Sequence, residues 1–284
     1  MAQQESDFSL TEAQTSAFTA AVWDNHRRNR RDLPWRRTRD PYEILVSEVM
    51  LQQTQVARVQ LKYGQFLAPF PTVRALAAAA VADVLAAWSG LGYNRRALSL
   101  HLAAKMVVDR YEGHIPTSPE ELQRLPGIGP ATAAAVCVFA FGRPHAFIET
   151  NIRSAFIHFF FQESTSVSDA DILPLVEKTM DRDDPREWFY ALMDYAVWVK
   201  KIYGNPNRKS KVHTVQSRFT GSRREVRALT LKALLAVAPA TATAETVRAT
   251  LPYPSRDLDE LVSVLDDLAR EGFLKKEKEG YRIA

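Results

Sequence analysis

Glu48 lies in the stretch Ile44-Leu45-Val46-Ser47-Glu48-Val49-Met50-Leu51, with apolar residues on both sides of it. A carboxyl among Ile44, Leu45, Val49 and Leu51 is partly desolvated, which pushes its pKa up and suits it to act as a general acid. A surface glutamate on an amphipathic helix is the alternative, and it fits less well because residues on both flanks are apolar. The turn Leu125-Pro126-Gly127-Ile128-Gly129 is the second informative feature. Two glycines bracket a tight hairpin, and amides at the start of the helix that follows, with Ala131 and Thr132 in its first turn, can point at a phosphate while the helix dipole favours the anion. An ordinary turn between core helices needs only one glycine and a proline, so a helix-hairpin-helix is the more specific reading. Positive charge gathers in two places. Arg27, Arg28, Arg30, Arg31, Arg36, Arg37 and Arg39 stand against Asp32 and Asp40, and Lys200, Lys201, Arg208, Lys209 and Lys211 run without an acid between them. Such clusters either hold phosphates or form a solvated face.

What else these residues could do is bounded by composition. The chain has 284 residues, 46% of them hydrophobic, with a net charge of +4 and one cysteine. That fits one or two globular domains and is neither disordered nor fibrous. Cys137, inside the apolar run AAAVCVFAF, cannot form an intrachain disulfide or a cysteine cage for zinc or iron and sulfur. No metal and no cofactor are expected, and Cys137 reads as a buried thiol. The most apolar stretch, VRALAAAAVADVLAAW, is broken by Arg74 and Asp83, and MAQQESDFSL lacks a basic region followed by an apolar run. The expectation is a soluble, cytoplasmic protein with no membrane partner.

The elements that must position these residues are helices. Asp40-Pro41-Tyr42-Glu43, Ser118-Pro119-Glu120-Glu121 and Asp184-Pro185-Arg186-Glu187 each place an acceptor at the N-cap, a proline at the first helical position and a carboxylate soon after. Alternating patterns long enough for a multi-stranded sheet are missing before residue 270. The fold class is therefore all-α: a two-lobed helical domain over 1–202, a basic linker over 203–224, and a small domain over 225–284. In that last domain the pattern predicts helices near 225–238, 243–251 and 256–270, then a short strand at Phe273-Leu274, a charged segment from Lys275 to Glu279, a turn at Gly280, and Tyr281-Arg282-Ile283. Three helices and a hairpin make a winged helix. Its third helix carries Asp257, Asp259, Glu260, Asp266, Asp267 and Glu271 against Arg256 and Arg270, a balance that phosphates repel. A packing or protein-contact role is expected for that helix, with Lys275, Lys276 and Lys278 as phosphate contacts.

With LPWR at Leu33, PYEILVSEVMLQQTQV at Pro41, FPTV at Phe70, WSGLGYNRRALSLH at Trp88, LPGIGPATAAAV at Leu125 and IETNIR at Ile148, the chain resembles the helix-hairpin-helix DNA glycosylases, and within them the adenine DNA glycosylases called MutY. The likeness runs from about Leu33 to Asp194. SEVMLQQTQV separates this branch from the one resembling endonuclease III, which lacks the acid. The resemblance implies a two-lobed enzyme of base excision repair, acting on double-stranded DNA with a damaged or mismatched base flipped out between the lobes. Adenine leaves its sugar poorly unless a ring nitrogen is protonated, and the resemblance gives that task to Glu48.

It places a carboxylate on the sugar side at Glu149, where the family has an aspartate, to stabilise an oxocarbenium-like transition state, with Asn151 helping to hold the site. Glu149 keeps the charge and reaches one methylene further. Gln53 matches the wedge that fills the gap left by the flipped base, with Gln52 beside it, and Tyr93 matches an aromatic that stacks next to the opposite base. Gly127, Ile128, Gly129, Ala131 and Thr132 are the hairpin contacts, and Arg31 is a further DNA contact. The lyase branch carries a lysine at the position of Ala131, so base removal without strand cleavage by an amine is implied. Family members hold a four-cysteine iron-sulfur cluster, and its first two cysteine positions fall on Lys200 and Asn207. The basic loop of Lys200, Lys201, Arg208 and Lys209 is expected to take over phosphate holding by direct contact. A nucleoid-associated monomer is expected, with a protein partner at the C-terminal domain as a further candidate. A catalytically silent lesion-binding protein, or a glycosylase for hypoxanthine or mismatched thymine, is the competing reading. Retention of a desolvated Glu48 argues against the silent binder.

Overall fold

A computed structural model describes residues 11–252 and 257–284, so the N-terminal stretch MAQQESDFSL and Arg256 lie outside the described residues. The helices in chain order are α1 (Glu12–Asn29), α2 (Pro41–Leu51), α3 (Val56–Leu67), α4 (Val73–Ala78), α5 (Val81–Trp88), α6 (Arg95–Tyr111), α7 (Pro119–Leu122), α8 (Pro130–Phe141), α9 (Thr150–Phe160), α10 (Asp169–Thr179), α11 (Pro185–Tyr203), α12 (Arg223–Val237), α13 (Ala244–Thr250) and α14 (Leu258–Arg270). Strands β1 (Leu274–Glu277) and β2 (Gly280–Ile283) close the described chain as an antiparallel hairpin. No described helix is long and apolar enough to cross a membrane.

The three predicted helix openings all form. Asp40 Oδ1 accepts from the amides of Tyr42 and Glu43 at 2.8 and 3.1 Å. Ser118 accepts from Glu121 N, and Asp184 from Glu187 N, each with proline at the first helical position. Each cap satisfies amides that have no partner inside the helix, worth about 1 kcal/mol apiece.

The chain divides into two compact units that interleave along the sequence. Of the described residues, the first comprises 11–44, 117–123 and 129–215. Within it α11 packs on α9 and α1, and the core is aromatic. Phe139 stacks on Tyr190 and Phe147 on Phe189, each with centroids 4.4 Å apart, while Phe18 meets Phe156 at 4.8 Å. Residues 133–140 of α8 are all buried, which its run of alanines permits by letting neighbouring helices approach closely.

Of the described residues, the second unit comprises 45–116, 124–128, 216–252 and 257–284. Here α4 packs on α6, and Phe66, Phe70 and Trp88 form its aromatic centre. Residues 216–284 share this unit with 45–116 instead of standing apart. Glu271 reaches Arg227 at 2.7 Å and lies 4.0 Å from Arg95 of α6. The predicted linker is likewise more ordered than its composition implied. Val167 N donates to Lys209 O at 2.8 Å and Lys211 N to Val167 O at 2.9 Å, so backbone pairing ties the loop down where side-chain periodicity gives no sign of it.

The three C-terminal helices fall close to their predicted spans. The hairpin is longer than expected, because Lys275, Lys276 and Glu277 extend β1 on a solvated face where no apolar alternation marks a strand. Gly280 is required there, since a Cβ would stand 2.3 Å from Ala242 O. The acids toward the C-terminal end of α14 are engaged by nearby side chains. Asp266 accepts from Lys276 Nζ and Tyr281 Oη, both at 2.7 Å, and Asp267 from Arg223 at 2.5 Å and Arg270 at 2.8 Å. Asp266, Asp267 and Glu271 are thus each paired with a nearby cation, and Lys276, a predicted phosphate contact, is one of them.

Candidate functional site

The two candidate carboxylates belong to different units, Glu48 to the second and Glu149 to the first. Glu149 is the N-cap of α9, with extended backbone at φ −125° and ψ 176°. Its Oε1 accepts from the amides of Asn151 and Ile152 at 2.7 and 2.8 Å, and its Oε2 from Asn151 Nδ2 at 3.2 Å. Asn151 Oδ1 in turn accepts from Lys200 Nζ at 2.9 Å. The extra methylene of glutamate over aspartate is taken up in folding the carboxylate back onto its own helix terminus. Burial pushes the Glu149 carboxyl above the usual carboxylate range, while the two amides, Lys200 and Arg153 pull the other way. Burial also lowers Lys200, which Glu149 opposes. The helix dipole adds to the forces that favour an anion at this place. The next turn is fixed by Arg153, which grips Asp169 through Nε at 2.6 Å and Nη2 at 2.7 Å.

Glu48 sits mid-way along α2, half-buried, on a helix whose Ile44, Leu45, Val46, Val49 and Met50 are buried. The C-terminal end of α2 is held by Arg96 of α6, a residue that the sequence reading passed over. Arg96 Nη1 donates to the carbonyls of Val49, Met50 and Gln52 at 2.9, 2.8 and 2.6 Å. Its Nη2 donates to Thr54 Oγ1 at 2.8 Å, Gly92 O at 3.0 Å and Leu91 O at 3.4 Å. The guanidinium also lies over the rings of Trp88 and Tyr93, 5.3 and 5.5 Å from their centroids. Burial pushes its pKa down to about 10.

Both residues expected to face the DNA stack lie on the segments Arg96 touches, and both have left-handed backbones. Gln53 is exposed with φ 53°, and Tyr93 is 39% exposed with φ 49°. Such a conformation costs a residue with a Cβ about 1–2 kcal/mol, so the surroundings must enforce it. Gln52 Nε2 reaches Gly127 O at 3.5 Å, which brings the α2 turn beside the hairpin loop. Gly127 has φ 78°, and a Cβ there would stand 2.7 Å from Ser99 Cβ, so glycine is demanded by both backbone and space. Gly129 caps α8, and Gly129 and Ala131 are exposed; Ile128 is buried and Thr132 half-buried.

The cations predicted to contact DNA divide into two groups. Lys201 and Arg208 are exposed. Arg31, Lys200 and Lys209 instead serve acceptors of the protein itself. Arg31 donates through Nε to Asp194 Oδ1 at 2.5 Å, and Arg36 grips the same carboxylate at 2.8 and 2.9 Å. Burial opposes ionisation of Asp194, yet His26, Arg36 and Arg31 together hold its carboxyl well below the usual range. Lys209 Nζ donates to Gln162 O at 2.6 Å and Phe161 O at 3.4 Å, capping the end of α9. The partners of these three cations lie far away in sequence, so charge counting alone assigned them to solvent.

An iron-sulfur cluster does not fit this chain. The position of the first cluster cysteine is Lys200, committed to Asn151, and that of the second is the buried Asn207. Cys137 is buried in α8, its thiol pushed up to about 11 by burial.

Residues 46–179 match the family model of the HhH-GPD superfamily base excision DNA repair proteins. The chain is 46% identical over 132 residues to an adenine DNA glycosylase of Mycolicibacterium smegmatis, covering 46% of this chain and 44% of that one. To the human adenine DNA glycosylase it is 40% identical over 149 residues, which are 49% of this chain and 27% of that one. It thus spans less than half the length of these curated relatives. Among solved structures, a thermostable thymine-DNA glycosylase superposes with a TM-score of 0.63 at 26% identity over 69% of this chain and 92% of that one. A trapped endonuclease III-DNA covalent intermediate shares the fold, with a TM-score of 0.57 at 21% identity over 67% and 86%.

Proposed function

From a premise that residues 46–179 form a helix-hairpin-helix base excision DNA repair domain similar to those of adenine DNA glycosylases, we propose that the protein is a monofunctional glycosylase that flips mispaired adenine out of duplex DNA and hydrolyses its bond to the sugar. The observation that carries this reading is the state of Glu149. Its carboxylate is fixed by three N–H donors at the start of α9, with Lys200 behind Asn151, so the substitution of glutamate for the family aspartate leaves an oriented anion in place.

In this mechanism Glu48, as a carboxylic acid, protonates a ring nitrogen of the extruded adenine and makes it a leaving group. The Glu149 anion stabilises the cationic sugar and positions the attacking water. Gln53 fills the vacated space and Tyr93 stacks beside the opposite base. Gly127, Gly129 and the exposed start of α8 hold backbone phosphate. The hairpin offers no amine at Ala131, and Lys200 is committed to Asn151, so hydrolysis prevails over Schiff-base chemistry.

The similarity to a thymine-DNA glycosylase over most of that chain favours one second reading, removal of thymine mispaired with guanine. Single-turnover base release from duplexes carrying A opposite G, A opposite 8-oxoguanine, hypoxanthine, uracil and T opposite G tests both. Adenine release that is abolished in Glu48→Gln supports the proposal. Thymine release without adenine release replaces it, and binding without release of any base returns the protein to a lesion sensor.

A further inference from the structure

Arg96 is a half-buried cation that no carboxylate within 4.0 Å balances among the described contacts, which makes it an expensive residue to keep. Its positive charge is met by carbonyl dipoles. The carbonyls of Val49, Met50 and Gln52 come from the end of α2, where a helix leaves its last C=O groups without partners and its dipole is negative. Thr54 Oγ1 belongs to the turn that follows, and the carbonyls of Leu91 and Gly92 belong to a different loop, ahead of α6. One planar fork therefore bridges two segments that are distant in sequence. Each segment presents one exposed side chain on a left-handed residue, Gln53 in the first and Tyr93 in the second. All of these residues lie in one compact unit, so the linkage needs no interdomain geometry.

We propose that Arg96 is a positioning residue that sets the Gln53 turn and the Tyr93 loop as one rigid unit, so that filling the gap behind a flipped base and stacking on its former partner are coupled events. The assignment of Gln53 and Tyr93 to DNA rests on the glycosylase reading; the mechanical linkage between the two segments does not. The geometry explains why a guanidinium is used. Only a planar group with five donors in fixed directions can serve acceptors on two segments at once, and a lysine ammonium has three donors on a flexible stem. The rings of Trp88 and Tyr93 around it keep the fork desolvated and in place.

Hydrogen exchange on the free protein tests the linkage without DNA. Thr54 N donates to Leu51 O and Leu91 N to Trp88 O, so each segment has a protected amide to follow. In Arg96→Lys both amides should exchange about tenfold faster while those in the middle of α6 keep their protection. Thr54→Val, a milder change that removes one acceptor from the first segment alone, should also speed exchange at Leu91, in the second. If Thr54→Val alters only its own turn, the two segments are independent and the proposal is wrong.

A second measurement reads the coupling on DNA, with 2-aminopurine at the target position reporting extrusion. Arg96→Lys should reduce the extruded population about tenfold in the parent background and less than twofold when Gln53 and Tyr93 are both alanine, because the residue acts through them. Equal losses in both backgrounds would mark Arg96 as a general stabiliser and overturn the proposal. Failure of the parent protein to release any base would remove the glycosylase reading while the exchange result still decides the linkage.

Discussion

Around Arg96, a half-buried cation is set among carbonyl oxygens of α2 and the Leu91–Gly92 loop, whereas around Asp194 and Glu149 the first unit sets cations against carboxylates and a side-chain amide. The two arrangements hold the two candidate catalytic carboxyls by different physics. Carbonyl dipoles do not titrate, so the support of α2 persists across the working pH range. The supports of α1, α9 and α11 change strength whenever a carboxyl gains a proton. The comparison teaches that one chain can hold the helix of one candidate carboxyl through carbonyl dipoles and surround the other with a network of charges.

The comparison breaks most visibly at Asp194. Asp194→Asn leaves Arg31, Arg36 and His26 facing a neutral group, and loss of a buried partner of this kind costs about 3–5 kcal/mol. Urea unfolding should show it, and a change under about 1 kcal/mol would mean that the arginines relax into water. The pH dependence has a definite sign. Asp194 has its folded pKa depressed, so its contribution is present at neutral pH and is lost as pH falls through the carboxylate range. Glu149, raised by burial, contributes oppositely: its share favours the folded state at low pH and fades as pH rises through its elevated value.

Next in size is Glu48→Gln, which keeps shape but has no carboxyl proton to give. Base release should drop by about a hundredfold or more with duplex affinity unchanged. A variant that releases adenine at the parental rate would leave Glu48 as a mere constituent of α2.

Lys200→Met sharpens the contrast, because it removes the cation that favours ionised Glu149. Single-turnover rates should fall on the acid side as Glu149 is protonated, with that limb above the usual carboxylate range. The variant should move the limb to still higher pH. An unmoved limb would show that the helix terminus alone holds the anion.

The exposed and the committed lysines should separate in the smaller effects. Reversing Lys201 and Arg208 to glutamate should weaken binding to any duplex and reduce the salt slope by about 1 for each phosphate no longer neutralised. Lys209→Met should instead lower stability by about 0.5–1 kcal/mol by uncapping the end of α9, with little change in the salt slope. Identical salt slopes for the two sets would erase the distinction.

These cases also mark what the sequence carries openly. The Asp40, Ser118 and Asp184 caps, the hairpin glycines and the three C-terminal helices are local features, in which a residue type answers a need a few positions away. Arg96 stayed silent because five of its six hydrogen-bond acceptors are backbone carbonyls, which every residue possesses. Arg31, Lys200 and Lys209 were assigned to the wrong environment for a related reason. Asp194, Asn151 and Gln162 are separated from them by 163, 49 and 47 positions, and nothing near each cation announces its acceptor. Residues 209–211 of the loop over 203–224 are held by backbone pairing with Val167, which composition does not encode.

The interleaving of the two units has a consequence for how the chain is made. Among the described residues, 11–44 cluster with 117–123 and 129–215, and 45–116 cluster with 124–128 and the described part of 216–284. At ribosomal speeds of about 5–20 residues per second, the helices of the second unit wait on the order of tens of seconds before their last companions emerge. During that interval α5 lacks its packing partner α12, and Arg95 waits for Glu271.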